Sequence, residues 1–325
     1  MRDLPPELRN GPFTLDQAHH LGVSRKVADG ARFRTAAPGV RVLADAPDTL
    51  LDRCRAAQLA LPDLAAFSHG TAVRLGGWPT PMRVAGLDLT GAPARPTDED
   101  ALQVSVPAGT ARPRFRGVRG HRVTWLPGDV VRHRGLRVTS PERTWCDLGA
   151  AGLDPLELVV LADAIRRRFE RDGAARLADR LHAWGGRRGA HVLRQALASS
   201  SDRVDAPTET RLRLLFAGAG LPAPEVNRWV YDADGLRVHR PDLSWPRWRV
   251  AADYDGEHHF SWDSDDQVAA GRASNWRRRQ DISRLERMGE IGWDLRLFTA
   301  YDLFRGYGAA VGRMREALRE AGAPL

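Results

Sequence analysis

The chain has 325 residues, of which 42% are hydrophobic and 28% are charged, and its 49 basic and 41 acidic residues give a formal net charge of +8. This length predicts two or three domains, and the apolar content excludes a wholly disordered chain. The chain has only two cysteines, which excludes a disulfide scaffold and a four-cysteine zinc site. No run approaches the roughly 18 apolar residues of a membrane span, and the first residues lack the apolar segment of a secretion signal. We therefore expect a soluble, cytoplasmic protein with no membrane partner, and its basic charge favours a polyanionic partner.

The first part of the chain predicts a helix, a tight turn, a second helix and a basic hairpin. Thr14 and Gln17 fit a capping box, Gly22 ends the helix that follows, and Ser24 is placed to cap the next helix. This order is typical of a winged helix-turn-helix, in which the first turn of the second helix carries base-reading side chains. The alternative interpretation is a helical hairpin with a solvated basic face.

Residues 51–200 alternate helical and strand-like stretches and predict an α/β middle domain. A long apolar helix over Pro155–Arg168 leads into an arginine-rich segment that extends to Arg194. We interpret that segment as a solvated helical face beside a linker, in preference to a nucleic-acid-binding stripe. The predicted organisation is therefore a winged helix over residues 1–50, the middle domain with its basic helical linker over residues 51–200, and a third domain over residues 204–325.

The third domain has the predicted order helix, a group of strands, helix, strand, helix, which is a compact α/β layout with a mixed sheet. The predicted elements are a helix over Thr208–Ala219, strand-like stretches over Trp229–Tyr231, Leu236–His239, Asp242–Trp245 and Arg249–Gly256, a helix over Asn275–Met288, a strand over Asp294–Phe298 and a helix over Gly308–Ala321.

Acidic residues are placed to converge in this domain. Asp253 and Asp255 lie two apart near the end of one predicted strand, so they share a face, and Asp242 is placed at the start of the strand before it. Carboxylates that point together repel one another unless a cation lies between them, and hard oxygen ligands suit Mg²⁺ or Mn²⁺. Glu209 on the preceding helix could reach the same place. Each residue alone also has an ordinary structural explanation as a turn or cap residue.

Two histidines follow these acids. His258 and His259 come directly after the Asp255–Glu257 segment, and either could act as a general acid or base or stabilise a phosphate. A histidine pair in a loop is equally compatible with packing or solvation alone. The order of glutamate, Pro-Asp, Asp-x-Asp and histidine is more specific than any single member.

This order resembles the endonuclease domains related to very short patch repair (Vsr) enzymes, which belong to the restriction-endonuclease-like PD-(D/E)xK superfamily. The resemblance covers residues 208–304 and rests on five spaced motifs: Pro241–Pro246, Val250–His259, Asp281–Arg284, Gly292–Arg296 and Tyr301–Leu303. It implies a helix-flanked mixed sheet and a divalent-metal-dependent endonuclease, a hydrolase of DNA, with phage defence or DNA repair as its setting.

The resemblance also implies roles for individual residues. Glu209 matches the glutamate of the first helix, Asp242 matches the metal-binding aspartate, and Asp253 matches the second acid, which is more often glutamate. Asp281 and Arg284 match a helix motif whose implied role is structural or substrate-positioning.

Two positions depart from the superfamily pattern. The second acid is shortened to aspartate, and Asp255 occupies the position of the superfamily lysine. Because Lys26 is the only lysine of the chain, no other lysine can take over the role of the missing superfamily lysine. Arginine is a poor proton acceptor, so His258 or His259, one of which matches the histidine of Vsr-like members, is the better candidate for activating water.

The front of the chain resembles the AbiEi-type antitoxins and transcriptional regulators, in which a winged helix precedes an α/β domain. The matching stretches are Phe13–Val42, Ser68–Ala72 and Thr139–Leu148. This resemblance implies that Arg25, Lys26, Arg32 and Arg34 face DNA and that a cognate toxin is a further partner. His69 lies in the second stretch, where we favour a core or capping role over a site.

Two functions follow from these resemblances. The first is a DNA-binding, Mg²⁺- or Mn²⁺-dependent endonuclease. The alternative is an AbiEi-type antitoxin or transcriptional regulator whose nuclease-like domain is catalytically inactive.

Overall fold

A computed structural model describes residues 4–79, 101–255 and 282–325. The protein is mixed α/β and separates into two compact units, one formed by residues 1–161 and 174–199 and the other by residues 162–173 and 200–325. The first unit contains the region predicted as a winged helix together with most of the predicted middle domain. No helix in the described ranges has both the length and the apolar content to cross a membrane.

The first unit begins with a small three-stranded sheet in the order β1-β3-β2. Its elements are β1 (Phe13–Thr14), α1 (Leu15–His20), α2 (Arg25–Ala28), β2 (Phe33–Ala37) and β3 (Val40–Leu43). The predicted capping box at the start of α1 is present, because the Thr14 hydroxyl accepts from the Gln17 amide and the Gln17 side chain accepts from the Thr14 amide. Ser24 is the residue before α2, but its side chain makes no capping hydrogen bond. Phe13 and Phe33 pack edge to face in a small core of this region.

The rest of the first unit is built around a five-stranded mixed sheet in the order β6-β5-β4-β8-β7. The sheet and the helices around it comprise α3 (Leu50–Gln58), β4 (Ala66–Phe67), α4 (His69–Gly76), β5 (Leu102–Pro107), β6 (Val118–Val123), β7 (Val130–His133), β8 (Leu136–Thr139), α5 (Pro141–Ala151), α6 (Pro155–Phe169), α7 (Gly173–Trp184) and α8 (Ala190–Ala198). From residue 162 onward, α6 belongs to the second unit. Apolar residues of α3, α4, β5 and β8 form its core.

A buried charge network fixes α5 in this unit. The Arg143 side chain is 2% exposed and bonds both Asp129 and Asp147, and Arg180 bonds Asp129 at 2.7 Å. The Arg143 guanidinium also lies 5.0 Å from the ring of Trp125 and 5.2 Å from that of Trp184. Because a buried charge is tolerated only when it is paired, this network determines where the side chains of α5 point.

The second unit contains a four-stranded mixed sheet in the order β14-β13-β12-β9 and a separate β10–β11 hairpin. Its elements are α9 (Pro207–Gly218), β9 (Glu225–Val226), β10 (Val230–Tyr231), β11 (Arg237–His239), β12 (Leu243–Trp245), β13 (Val250–Asp255), α10 (described over residues 282–290), β14 (Asp294–Thr299), α11 (Ala300–Phe304) and α12 (Tyr307–Glu320). β13 pairs antiparallel with β12 and parallel with β14.

The two faces of β13 have different surroundings. Val250 and Ala252 belong to the main core with Phe216 of α9 and Met314 of α12. Ala251 points the other way, into a second core that includes Met288 of α10. Asp253 shares the face of Ala251 because side chains alternate along a strand. The carboxylate therefore lies on the side covered by α10.

Candidate active site

The antiparallel pairing of β12 with β13 brings Asp242 and Asp253 together. Leu243 lies opposite Ala252, so Asp242, one residue before β12, comes beside Asp253. Their contacts are reciprocal: the Asp242 amide donates to Asp253 Oδ1 at 3.1 Å, and the Tyr254 amide donates to Asp242 Oδ2 at 2.7 Å. Each carboxylate therefore bonds backbone of the opposite strand, which fixes both side chains at one end of the sheet.

Asp253 has two further partners, and both are cationic or become so on protonation. His239 Nε2 donates to Asp253 Oδ2 at 2.7 Å, and Arg284 Nη1 donates to the same oxygen at 3.1 Å. Asp253 is 3% exposed, so these donors compensate a buried charge. The structure thus brings Arg284 to the acids, and it adds His239, which the sequence analysis did not identify.

Glu209 lies in the first turn of α9 and is buried. Its Oε2 accepts from the Asp205 amide at 2.8 Å and from Asn227 Nδ2 at 2.6 Å. Burial raises the pKa of Glu209 above its ordinary value, against the effect of these two donors. The glutamate is close enough to Asp242 for its charge to act on that carboxyl.

Asp242 has a carboxyl whose pKa is strongly raised. Burial, the neighbouring Asp253 and, more weakly, Glu209 raise the pKa of Asp242 to about 7, although the Tyr254 amide favours its ionised form. These acids are desolvated and their negative charges repel, so holding them together costs stability. Such groups occur preferentially at functional sites.

A divalent cation fits these donors in chemical kind. Asp242 and Asp253 offer hard carboxylate oxygens, and a positive ion would remove the repulsion that raises the Asp242 pKa. In the described ranges, no group of three or more His, Cys, Asp or Glu side chains is arranged to hold an ion. Asp242 and Asp253 would therefore be the protein ligands, with water or substrate oxygens as the others.

The remaining predicted residues of this site are placed differently. Asp255 ends β13 half-buried, opposite Thr299 of β14, and no hydrogen bond links its side chain to the other acids within the described chain. His258, His259 and Asp281 lie outside the described residues. The site as described therefore consists of Glu209, Asp242, Asp253, His239 and Arg284.

The four predicted DNA-facing residues are all in the N-terminal region of the first unit. Lys26 and Arg32 are exposed. Arg25 is also exposed, with Asp29 at 3.5 Å, whereas Arg34 bonds the Asp48 carboxylate at 3.1 Å and the carbonyl oxygens of Ala46 and Pro47. Arg34 thus also fixes the segment that follows β3.

No family model matches the chain, and no solved structure matches it. Two relatives are uncharacterized proteins from two strains of Mycobacterium tuberculosis, and each is 28% identical over 279 residues. The alignment covers 86% of this chain and 90% of each relative. The similarity thus extends over more of the chain than either compact unit contains.

Proposed function

We propose that the protein is a divalent-metal-dependent endonuclease that hydrolyses DNA phosphodiester bonds at the end of the β12–β13 pair. The observation that carries this proposal is that β12 and β13 place the Asp242 and Asp253 carboxylates side by side, with Glu209 of α9 close enough for its charge to act on Asp242. Repulsion among these carboxylates has no structural benefit, and a bound cation would relieve it. As part of the same proposal, the second unit has a restriction-endonuclease-like fold and the N-terminal region is a winged helix that binds DNA.

His239 is the proposed proton acceptor. Because its Nε2 donates to Asp253, the neutral ring carries its lone pair on Nδ1. An aspartate that holds one ring nitrogen fixes the tautomer and the orientation of the ring, so that the other nitrogen is left as the acceptor. A water between Nδ1 and a phosphodiester would lose its proton to this ring, which is the role that the missing lysine leaves open.

Arg284 is the proposed positioning and charge-stabilising residue. Its guanidinium holds Asp253 Oδ2 and remains charged at any physiological pH. A phosphate beside the acids would have this cation within reach, and the charge that develops on its oxygens would be stabilised. A bound Mg²⁺ or Mn²⁺ would act as a Lewis acid on the same phosphate.

Cleavage of supercoiled plasmid by the full chain tests the proposal. We expect nicking with Mg²⁺ or Mn²⁺, none with EDTA, and a loss of at least 100-fold in Asp242→Asn. His239→Gln should lose a comparable factor, because glutamine cannot accept the proton. Asp234→Asn removes an exposed carboxylate of the same unit, in the turn between β10 and β11, and serves as the control with unchanged activity.

The second candidate is an AbiEi-type antitoxin or regulator with an inactive nuclease-like domain. It is favoured by one observation, which is that His239 and Arg284 already compensate the charge of Asp253 without an ion. If the wild type binds duplex DNA tightly and neither metal produces nicks above the Asp242→Asn level, this second function replaces the first.

A further inference from the structure

The first unit contains a cavity of about 690 Å³. It lies between the edge strand β6, the helix α5 and the end of α7, and His69, His121, Asp147 and Trp184 are among its lining residues. This volume is within the roughly 300–1,000 Å³ of small-molecule sites. The cavity is therefore large enough for a ligand of nucleotide size.

Two buried polar atoms at this cavity have no hydrogen-bond partner in the described part of the chain, Asp147 Oδ2 and His121 Nε2. Asp147 is 3% exposed, and its other oxygen accepts from Arg143 Nε at 2.8 Å. An unpaired buried polar atom is costly, so these two positions are suited to a ligand that completes their hydrogen bonds.

A chain of hydrogen bonds holds the histidines in place. Ser105 Oγ donates to Ser68 Oγ at 2.8 Å, and Ser68 Oγ lies 2.9 Å from Nδ1 of the buried His69. The His69 ring stacks on His121 with centroids 4.0 Å apart. Burial lowers the pKa of His121 to about 4, so its ring is neutral at pH 7 and offers a hydrogen bond and a flat face rather than a charge. His69 is thus buried as predicted for a core residue, and it also lines the cavity.

The charged lining of the cavity is almost entirely basic. Arg119, Arg122, Arg187 and Arg188 are exposed residues at its surface, and within the described chain none of them pairs with a carboxylate. Among the lining residues that the structure describes, Asp147 is the one acid, and its charge is already opposed by Arg143. Such a lining attracts an anion, and arginine is well suited to the oxygens of a phosphate group.

We propose that this cavity binds a phosphorylated nucleoside, with its phosphate on the exposed arginines of the lining and an N–H donor of its base on Asp147 Oδ2. His121 presents its ring and Nε2 to the same base. The ligand is either a free nucleotide or the phosphorylated end of a DNA strand, because both carry this chemistry. The site is in the first unit and does not rest on the proposed nuclease.

Calorimetric titration of the full chain in EDTA, which suppresses metal-dependent cleavage, tests the assignment. The probes are the four deoxynucleoside 5′-monophosphates, the four corresponding deoxynucleosides, and a single-stranded oligonucleotide with either a 5′-phosphate or a 5′-hydroxyl. We expect at least one monophosphate, or the phosphorylated oligonucleotide, to bind at least tenfold more tightly than its unphosphorylated counterpart. Binding of the monophosphate identifies the free nucleotide as the source, and binding confined to the phosphorylated oligonucleotide identifies a strand end.

Arg119→Ala/Arg122→Ala should weaken this binding at least tenfold. Arg132→Ala/Arg134→Ala removes the same charge from the β7–β8 hairpin at the other edge of the sheet and should leave it unchanged. Equal losses of affinity in both double variants would show that net charge alone attracts the ligand. Equal affinities for phosphorylated and unphosphorylated probes would show that the phosphate makes no contact. Absence of binding by every phosphorylated probe at millimolar concentration would also overturn the proposal.

Discussion

Asp242 and Asp253 are neighbours with opposite surroundings. Asp253 accepts a backbone amide, a histidine and an arginine, whereas Asp242 accepts a single amide among its described contacts and faces other carboxylates. Burial and the facing carboxylates therefore disfavour the charged form of Asp242. The difference gives Asp242 a measurable effect on stability, independent of any assay of activity.

We expect Asp242→Asn to stabilise the metal-free protein, and to do so more at pH 8 than at pH 5. The folded-state pKa of Asp242 is raised to about 7, against about 3.9 in an unfolded chain. Its protonated form therefore supports the fold fully below pH 4, and this support is lost as the pH rises through 7. The advantage of the variant should grow by about 3 kcal/mol between pH 5 and pH 8, because about two pK units of the difference between the folded and unfolded pKa values are lost over that range.

Urea unfolding in EDTA at both pH values, with the two proteins compared side by side, measures this difference. Other titrating groups cancel in the comparison because both proteins contain them. Asp234→Asn, at an exposed position, should follow the wild type at both pH values. If the wild type is as stable as Asp242→Asn at pH 8, then Asp253 and Glu209 do not repel the Asp242 carboxylate as inferred.

At the scale of elements, the sequence predicted an element whose apolar residues recur at a regular spacing, and it missed very short strands. The apolar helix predicted from Pro155 is present as α6, since periodic burial leaves a pattern in the sequence. β4 and β9 have two residues each, which is too short for alternation to be visible.

The candidate site likewise contains residues that the sequence predicted and residues that it did not. The placement of Asp242 at the start of one predicted strand and of Asp253 near the end of the next was enough to predict that these two acids meet. His239 was missed because its contact with Asp253 depends on how the β10–β11 hairpin packs beside β13, and no sequence spacing encodes that packing. The cavity of the first unit was missed because its lining comes from segments as far apart as His69 and Arg188.

The approach of α5 to the residue before α8 supplies a prediction about packing. Gly189 has φ +83°, and a Cβ there would lie 2.5 Å from the carbonyl carbon of Gly149 in α5. Gly189→Ala should destabilise the protein by about 3 kcal/mol, since backbone atoms cannot yield and the left-handed conformation disfavours alanine. Gly186→Ala, where a Cβ meets nothing within 4 Å, is the matched control. Thermal unfolding compares them, and equal melting temperatures for the two variants would contradict this packing.

For the whole molecule, charge is the property that bears on a DNA partner. The net charge of +8 gives a general attraction to a polyanion, whereas specific phosphate contacts require exposed cations at fixed positions. Arg25 and Lys26 are exposed in α2, and Arg34 is partly engaged with Asp48. The salt dependence of binding separates the two contributions, because each phosphate contact releases counterions.

We expect Arg25→Glu/Lys26→Glu to weaken binding to duplex DNA and to flatten its dependence on salt. If each side chain contacts one phosphate, the slope of log K against log salt concentration should fall by about 2. Arg132→Glu/Arg134→Glu changes the net charge by the same amount from exposed positions on the β7–β8 hairpin, so it should shift the affinity only through the general attraction. Fluorescence anisotropy with a labelled duplex in EDTA, repeated between 50 and 200 mM salt, measures both slopes. Parallel slopes for the two double variants would remove the N-terminal region from the DNA-contacting surface, because total charge alone would then account for the binding.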